Sequence, residues 1–136
     1  MLQPVKILID TDPGVDDAIA ILMALASPDV ELLGLTTVGG NVPLGRSTRN
    51  ALALLQAAGR SDIPVAKGAS RPLRGRYSYA PQFHGPGGLS RRLPEPAKGP
   101  VAEGAVQWLY DQLTHEPGEV LLVALGPLTN LARLLW

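Results

Sequence analysis

The stretch VKILIDTDPGVDDAIAILMALA, residues 5–26, decides the fold. VKILID (5–10) is a short apolar, β-branched run and reads as a buried strand. VDDAIAILMALA (15–26) reads as a helix, apolar nearly all round and so expected to be buried on most sides. Between and into them fall four carboxylates, Asp10, Asp12, Asp16 and Asp17. A strand running into a crowded acidic turn and then a helix is the first half of a βαβ unit.

Outward from this stretch the alternation continues. VELLGLTTVGG (30–40) reads as a second strand ending in a glycine turn, and RSTRNALALLQAAG (46–59) as a helix closed by Gly59. IPVAKG (63–68) is a short third strand. Residues 70–100 are dense in Gly, Pro and Arg and form a long irregular loop, the kind that is functional or mobile in a compact domain. VAEGAVQWLYDQLTHE (101–116) returns to helix, EVLLVALG (119–126) to strand, and PLTNLARLLW begins a further helix. Alternation of this kind implies an α/β fold: an open, mostly parallel, Rossmann-like sheet with flanking helices and right-handed crossovers. Ligands in such sheets bind outside the carboxyl ends of the strands. DTDPGVDD, TTVGGN and LGPLTN each follow a strand, so they are expected to share one site.

Composition narrows the function. Twelve Lys and Arg balance twelve Asp and Glu, which gives no basic field for nucleic acid. The absence of cysteine rules out disulfides, thiolate metal sites and a Cys nucleophile. The longest apolar run, AIAILMALA, has nine residues, too few to cross a membrane. The N-terminus has no basic segment leading into an apolar one, so a cytoplasmic protein without a signal peptide is expected.

Capping explains part of the acidic turn. Asp12 before Pro13 suits a helix N-cap and first position, and Asp16 and Asp17 suit the first helical turn. The crowding exceeds that need. One cap takes one carboxylate, and two carboxylates about 4 Å apart repel by roughly 4 kcal/mol at an effective dielectric near 20. Four together call for raised pKa values or a cation, and carboxylate oxygens suit Ca²⁺ or Mg²⁺. With two histidines, neither in the turn, a transition metal fits less well.

DTDPGVDDAIAI (10–21) resembles the N-terminal fingerprint of the inosine-uridine-preferring nucleoside hydrolases. The resemblance extends through TTVGGN (36–41), RNALALLQAAGRSDIPVAKGASRPL (49–73), FHGPGGL (83–89) and LLVALGPLTNLA (121–132), in matching order and spacing. It implies a Rossmann-like fold, hydrolysis of the N-glycosidic bond of ribonucleosides to ribose and free base, and one Ca²⁺. It implies that Asp12 and Asp17 are the side-chain metal ligands and that the carbonyl of Leu125 is a third. Asp12 would also be the base that deprotonates the attacking water. Asp16, Asn41 and His84 would contact the nucleoside, and Asp10 would stand behind the ligands. PGGL (86–89) departs from the family pattern, in which an acidic or polar residue precedes Gly-Leu. Members run to more than twice this length, so residues 1–136 are expected to be the N-terminal part of a single hydrolase domain, inactive or nearly so alone. A nucleoside substrate and homo-oligomers are expected; nucleic acid and membrane partners are not.

Two other readings compete. One is a non-catalytic, metal-binding α/β fragment that acts only with another chain. The other is a phosphohydrolase of the haloacid dehalogenase type, whose DxD also follows a first strand, though PGVDD and TTVGGN fit it poorly. Read alone, Asn41 suits a turn, a loop histidine such as His84 is commonly solvated, and Thr129 and Asn130 suit the cap of the last helix. Arg71, Arg74, Arg76, Arg91 and Arg92 read first as a solvated rim and second as a phosphate site, which Arg could suit, His115 as a helix C-terminal cation and Trp108 as core.

Overall fold

The computed structural model describes residues 2–136. The chain runs β1 (Val5–Thr11), α1 (Val15–Ala26), β2 (Val30–Thr37), α2 (Leu44–Ala57), β3 (Val65–Lys67), α3 (Pro81–His84), α4 (Ala105–His115), β4 (Val120–Ala124) and α5 (Thr129–Leu135). The four strands form one parallel sheet in the order β3-β2-β1-β4. The α/β architecture expected from the alternation is therefore present, and β1 lies at its centre.

Side chains of successive β1 residues alternate between two cores. Ile7 and Ile9 join Ile21 of α1 and Leu54 and Leu55 of α2 on one face. Leu8 joins Ala105, Trp108 and Leu109 of α4 on the other. The β1–β2 register shifts between Ile7 and Leu8, where Ile7 pairs with Leu32 and Leu8 with Gly34. That bulge has a packing consequence. Leu32 and Leu35 are three residues apart, yet both reach the α1–α2 core, because Leu33 and Gly34 share the opposite face. Gly34 lies under Trp108: a Cβ there would stand 2.3 Å from Cη2 of the indole. Trp108 is buried, as its place on the helix implies.

Several expectations need correction. Helix α1 is not buried on most sides; Ile19, Leu22 and Met23 are exposed, because one helix over one sheet face can bury only the stripe that meets it. Helix α4 begins at Ala105 rather than near residue 101, because the Val101 N–H donates to the Val65 carbonyl and holds that segment beside β3. Helix α5 has Leu128 at its cap position and no side-chain cap bond, so Thr129 and Asn130 are not caps. Between β3 and α4 the one regular element is the four-residue α3. Side chains of α2 secure this segment instead: Asn50 Nδ2 donates to the Gly87 carbonyl at 2.7 Å and Arg49 to the Leu93 carbonyl at 2.6 Å. Gln56 both donates to the Glu95 carbonyl and accepts from the Ala97 N–H.

Candidate active site

The site forms at the carboxyl end of β1, where neighbouring strands bring their own ends alongside. In the parallel register Asp10 pairs with Thr36 of β2 and with Ala124 of β4. Residues 10–17, 36–41 and 124–130 are thereby gathered at one end of the sheet, as the three strand-following motifs imply.

Asp10 and Thr11 face opposite sides, following the strand alternation. Asp10 is fully buried on the α5 side. Its Oδ1 accepts from the Thr36 hydroxyl and from Asn130 Nδ2 at 2.8 Å, while Oδ2 has no partner among the described residues. Burial raises its pKa against those two donors. Thr11 faces α1 and donates to Asp17 Oδ2 at 2.6 Å. The same oxygen accepts the Asp12 N–H at 3.3 Å. Asp17 is buried and its pKa is also raised, by desolvation first and then by the nearby Asp16 charge.

Asp12 is the most constrained of the four. It does not cap α1: the cap position is Gly14, with no side-chain bond. The acid instead turns toward β2 and β4. Its Oδ2 accepts the Asn41 N–H at 2.7 Å, and the Asn41 side chain donates to its carbonyl at 3.0 Å. Two glycines leave room for the carboxylate. A Cβ on Gly40 would stand 2.1 Å from Oδ2, and one on Gly126 would stand 2.8 Å from Oδ1. The peptide joining Leu125 to Gly126 thus passes beside Asp12, while the Leu125 N–H donates to the Asp10 carbonyl. Desolvation, reinforced by the Asp17 charge and opposed by the Asn41 N–H, lifts the Asp12 carboxyl to about 7.

Two residues complete the rim. His84 is brought in from α3: its Nδ1 accepts the Val15 N–H at 3.1 Å, and its side chain is only 16% exposed. It is not a solvated loop histidine. The acceptor role of Nδ1 leaves the neutral ring's proton on Nε2. Asp16 Oδ1 lies 3.8 Å from the same Nδ1, but its side chain is 78% exposed. Asp12, Asp16, Asp17, Asn41, His84 and the 125–126 peptide converge; Asp10 lies behind them. Because Asp10 is buried and bonded to Asn130 and Thr36, it cannot serve as the nucleophile that a DxD phosphohydrolase would need.

Asn130 was hidden from sequence reasoning. It is fully buried, accepts from the Ala69 N–H at 2.9 Å, and donates to Asp10 Oδ1 and to the Thr37 carbonyl. One amide thus ties the ends of β1 and β2 and the segment after β3 to α5. The signal was the polar pair Thr129-Asn130 at the start of a leucine-rich helix, which a cap explains equally well. Asn50 was likewise unread; it contacts the Pro13 carbonyl at 3.4 Å as well as Gly87.

Comparison with known proteins gives the family. The family model described as inosine-uridine preferring nucleoside hydrolase matches residues 7–136. The chain is 50% identical over 129 residues to uridine nucleosidase 1 of Arabidopsis thaliana, covering 93% of this chain and 38% of that protein. It is 46% identical to the non-specific ribonucleoside hydrolase RihC of Klebsiella pneumoniae, covering 95% of this chain and 42% of that one. Among solved structures, the plant nucleoside hydrolase PpNRh1 superposes with a TM-score of 0.91 at 46% identity, over 97% of this chain and 42% of that chain. The purine-preferring ribonucleoside hydrolase from Gardnerella vaginalis also gives 0.91, at 33% identity, over 96% and 43%. The chain spans about two fifths of the length of these relatives. By sequence match along nearly its whole length and by its fold, the chain belongs to the inosine-uridine preferring nucleoside hydrolase family.

Proposed function

We propose that residues 1–136 form the N-terminal part of a single nucleoside hydrolase domain, and that the acidic turn cleaves the N-glycosidic bond of purine or pyrimidine ribonucleosides. The observation that carries this reading is the adjacency of buried Asp12 and Asp17, the Asn41 amide and the His84 ring around one turn. Attack of water on the anomeric carbon forms a C–O bond as the C–N bond to the base breaks. The base nitrogen takes the electron pair and then a proton; the water gives up its proton to Asp12. Asp12 is suited to this task because its carboxylate is buried and fixed in place by the Asn41 N–H, within reach of a water held at the same turn. Positive charge grows on the sugar as the base departs, and the carboxylates around it stabilise that charge. Asp16, Asn41 and the His84 Nε2–H would orient the nucleoside.

The donor set fits a hard dication. It is oxygen only, and its two buried carboxylates with raised pKa values would be eased by positive charge. Asp12, Asp17 and the Leu125 carbonyl would hold Ca²⁺, supplying three of the 6–8 oxygens it takes. Among the described residues no three His, Cys, Asp or Glu side chains cluster to hold a metal by themselves, so the remaining ligands come from water, substrate or chain beyond these residues. Such an ion would lower the pKa of a bound water.

A second reading rests on the apolar surface beside β4, where Leu121, Val123 and Leu128 are exposed. The chain would then act only together with another one, a further copy included. No helix is long and apolar enough to cross a membrane among the described residues. We place the protein in the cytoplasm, with a small nucleoside as its partner and no nucleic acid. Base release from inosine, uridine and cytidine, measured for this chain and for a longer form, tests both readings. Hydrolysis by the longer form that disappears in Asp12→Asn and Asp17→Ala supports the proposal. Undiminished hydrolysis in either variant refutes it.

A further inference from the structure

A concavity lies between α2 and the segment that follows α3. Its volume is about 530 Å³, within the range of small-molecule sites. Arg46 and Arg49 of α2 line one side and Arg91, Arg92 and Glu95 the other. Four guanidinium groups facing one carboxylate leave a local excess of three positive charges in a chain that is neutral as a whole.

These arginines are not equivalent. Arg49 Nε donates to Glu95 Oε1 at 2.9 Å, and Arg92 Nη2 donates to the same oxygen at 2.8 Å. Arg49 also donates to the Leu93 carbonyl. Glu95 therefore acts as an internal oxyanion held by two guanidinium forks. Arg46 and Arg91 have no ion pair among the described residues. The Arg46 guanidinium lies over Gly87, with Nη1 3.7 Å from the position a Cβ would take there. Asn50 fixes Gly87 from behind, so this wall is set by the fold. Arginine forks match the planar oxygen pairs of phosphate, and such charge-assisted bonds are the strong ones. Isolated surface arginines would need no explanation. Two unpaired arginines in one cavity, beside a pair already gripping a carboxylate, have one.

We propose that this cleft is an anion site separate from the acidic turn, and that it takes a phosphate dianion, free or as the ester of a sugar or nucleotide. A dianion would balance the charges of Arg46 and Arg91, and the cavity leaves room for the remainder of an ester.

Calorimetric titration of the full polypeptide carrying residues 1–136 tests this, using inorganic phosphate, ribose 5-phosphate and uridine 5′-monophosphate in chloride buffer. Arg46 and Arg91 lie outside the acidic turn, so loss of binding in their variants does not depend on the hydrolase reading. One-to-one binding of at least one of these compounds is expected. The Arg46→Ala/Arg91→Ala double variant should weaken it by at least about tenfold, since it removes both free guanidinium groups that would donate charge-assisted bonds to the anion. Arg74→Ala, outside the cleft, should leave it unchanged. Equal affinity for all three compounds assigns the site to free phosphate; tighter binding of an ester assigns it to that ester. Should the double variant melt early, the single variant Arg91→Gln replaces it, with the same direction of change. Absence of binding at millimolar phosphate compound, binding that the double or single variant retains, or equal loss in Arg74→Ala overturns the proposal.

Discussion

Gly40 leaves no room for a methyl group: its Cβ would stand 2.1 Å from Asp12 Oδ2. Gly40→Ala should displace that carboxylate while leaving both cores intact. We expect base release by the full-length enzyme to fall by about 10²-fold, the effect of a misplacement near 1 Å, with little change in melting temperature. An active variant with wild-type kinetics would show that the Asp12 position is not critical. The same carboxyl makes stability depend on pH. Its pKa rises from 3.8 to about 7 on folding, so the folded state holds a proton that the unfolded state releases. This contribution is complete below pH 4 and is lost as pH rises through 7. Asp10 and Asp17 shift in the same direction. In chelator, melting temperature should therefore fall between pH 5 and 8. On the proposed function calcium would bind the ionised carboxylates, so it should offset the fall, and its stabilisation should be larger at pH 8 than at pH 5. Melting curves with and without chelator check both signs. A calcium effect equal at the two pH values would separate the metal from these acids.

Among the elements, β1 and β2 contribute both the core and the site, and two contacts govern how they do so. Gly34 gives Trp108 its seat across β2. Gly34→Ala forces either the indole or the bulged strand to move, and overpacking of this kind costs about 1–3 kcal/mol. Denaturant unfolding should show that loss, accompanied by a shift in Trp108 fluorescence. At the other end of the strands, Asn130 joins β1, β2 and the segment after β3. Asn130→Ala strands the Ala69 N–H and takes a donor from the Thr37 carbonyl and from Asp10 Oδ1, which keeps only the Thr36 hydroxyl. Each unsatisfied buried group costs about 1–3 kcal/mol. We expect about 3 kcal/mol or more in stability, and Asn130→Asp should not rescue it, since a carboxylate cannot donate to Asp10. The LTN motif read alone offered a cap. What assigns Asn130 its real task is α5 packing where the strand ends meet.

On the scale of the whole molecule, β4 pairs with β1 alone and leaves Leu121 and Val123 exposed, while α1 exposes Ile19, Leu22 and Met23. Apolar surface beside a free strand edge favours association. Light scattering on residues 1–136 should show concentration-dependent self-association, reduced in Leu121→Lys/Met23→Lys; a clean monomer throughout would refute it. The sequence by itself determined the element order, the parallel sheet and the strand ends that meet, because periods of two and of 3.6 residues are written locally and βαβ connection leaves little topological choice. It also placed Asp12, Asp17 and Asn41 near one another, since all three follow strands. Only the tertiary structure decided which carboxylate faces which way, that Asp12 is not a helix cap, that His84 seats against Val15, and that arginines on α2 and on the segment after α3 share a cavity. Those outcomes depend on contacts between residues tens of positions apart. Strand register, a single bulge and the packing of one helix over another strand fix such contacts, and no local pattern encodes them.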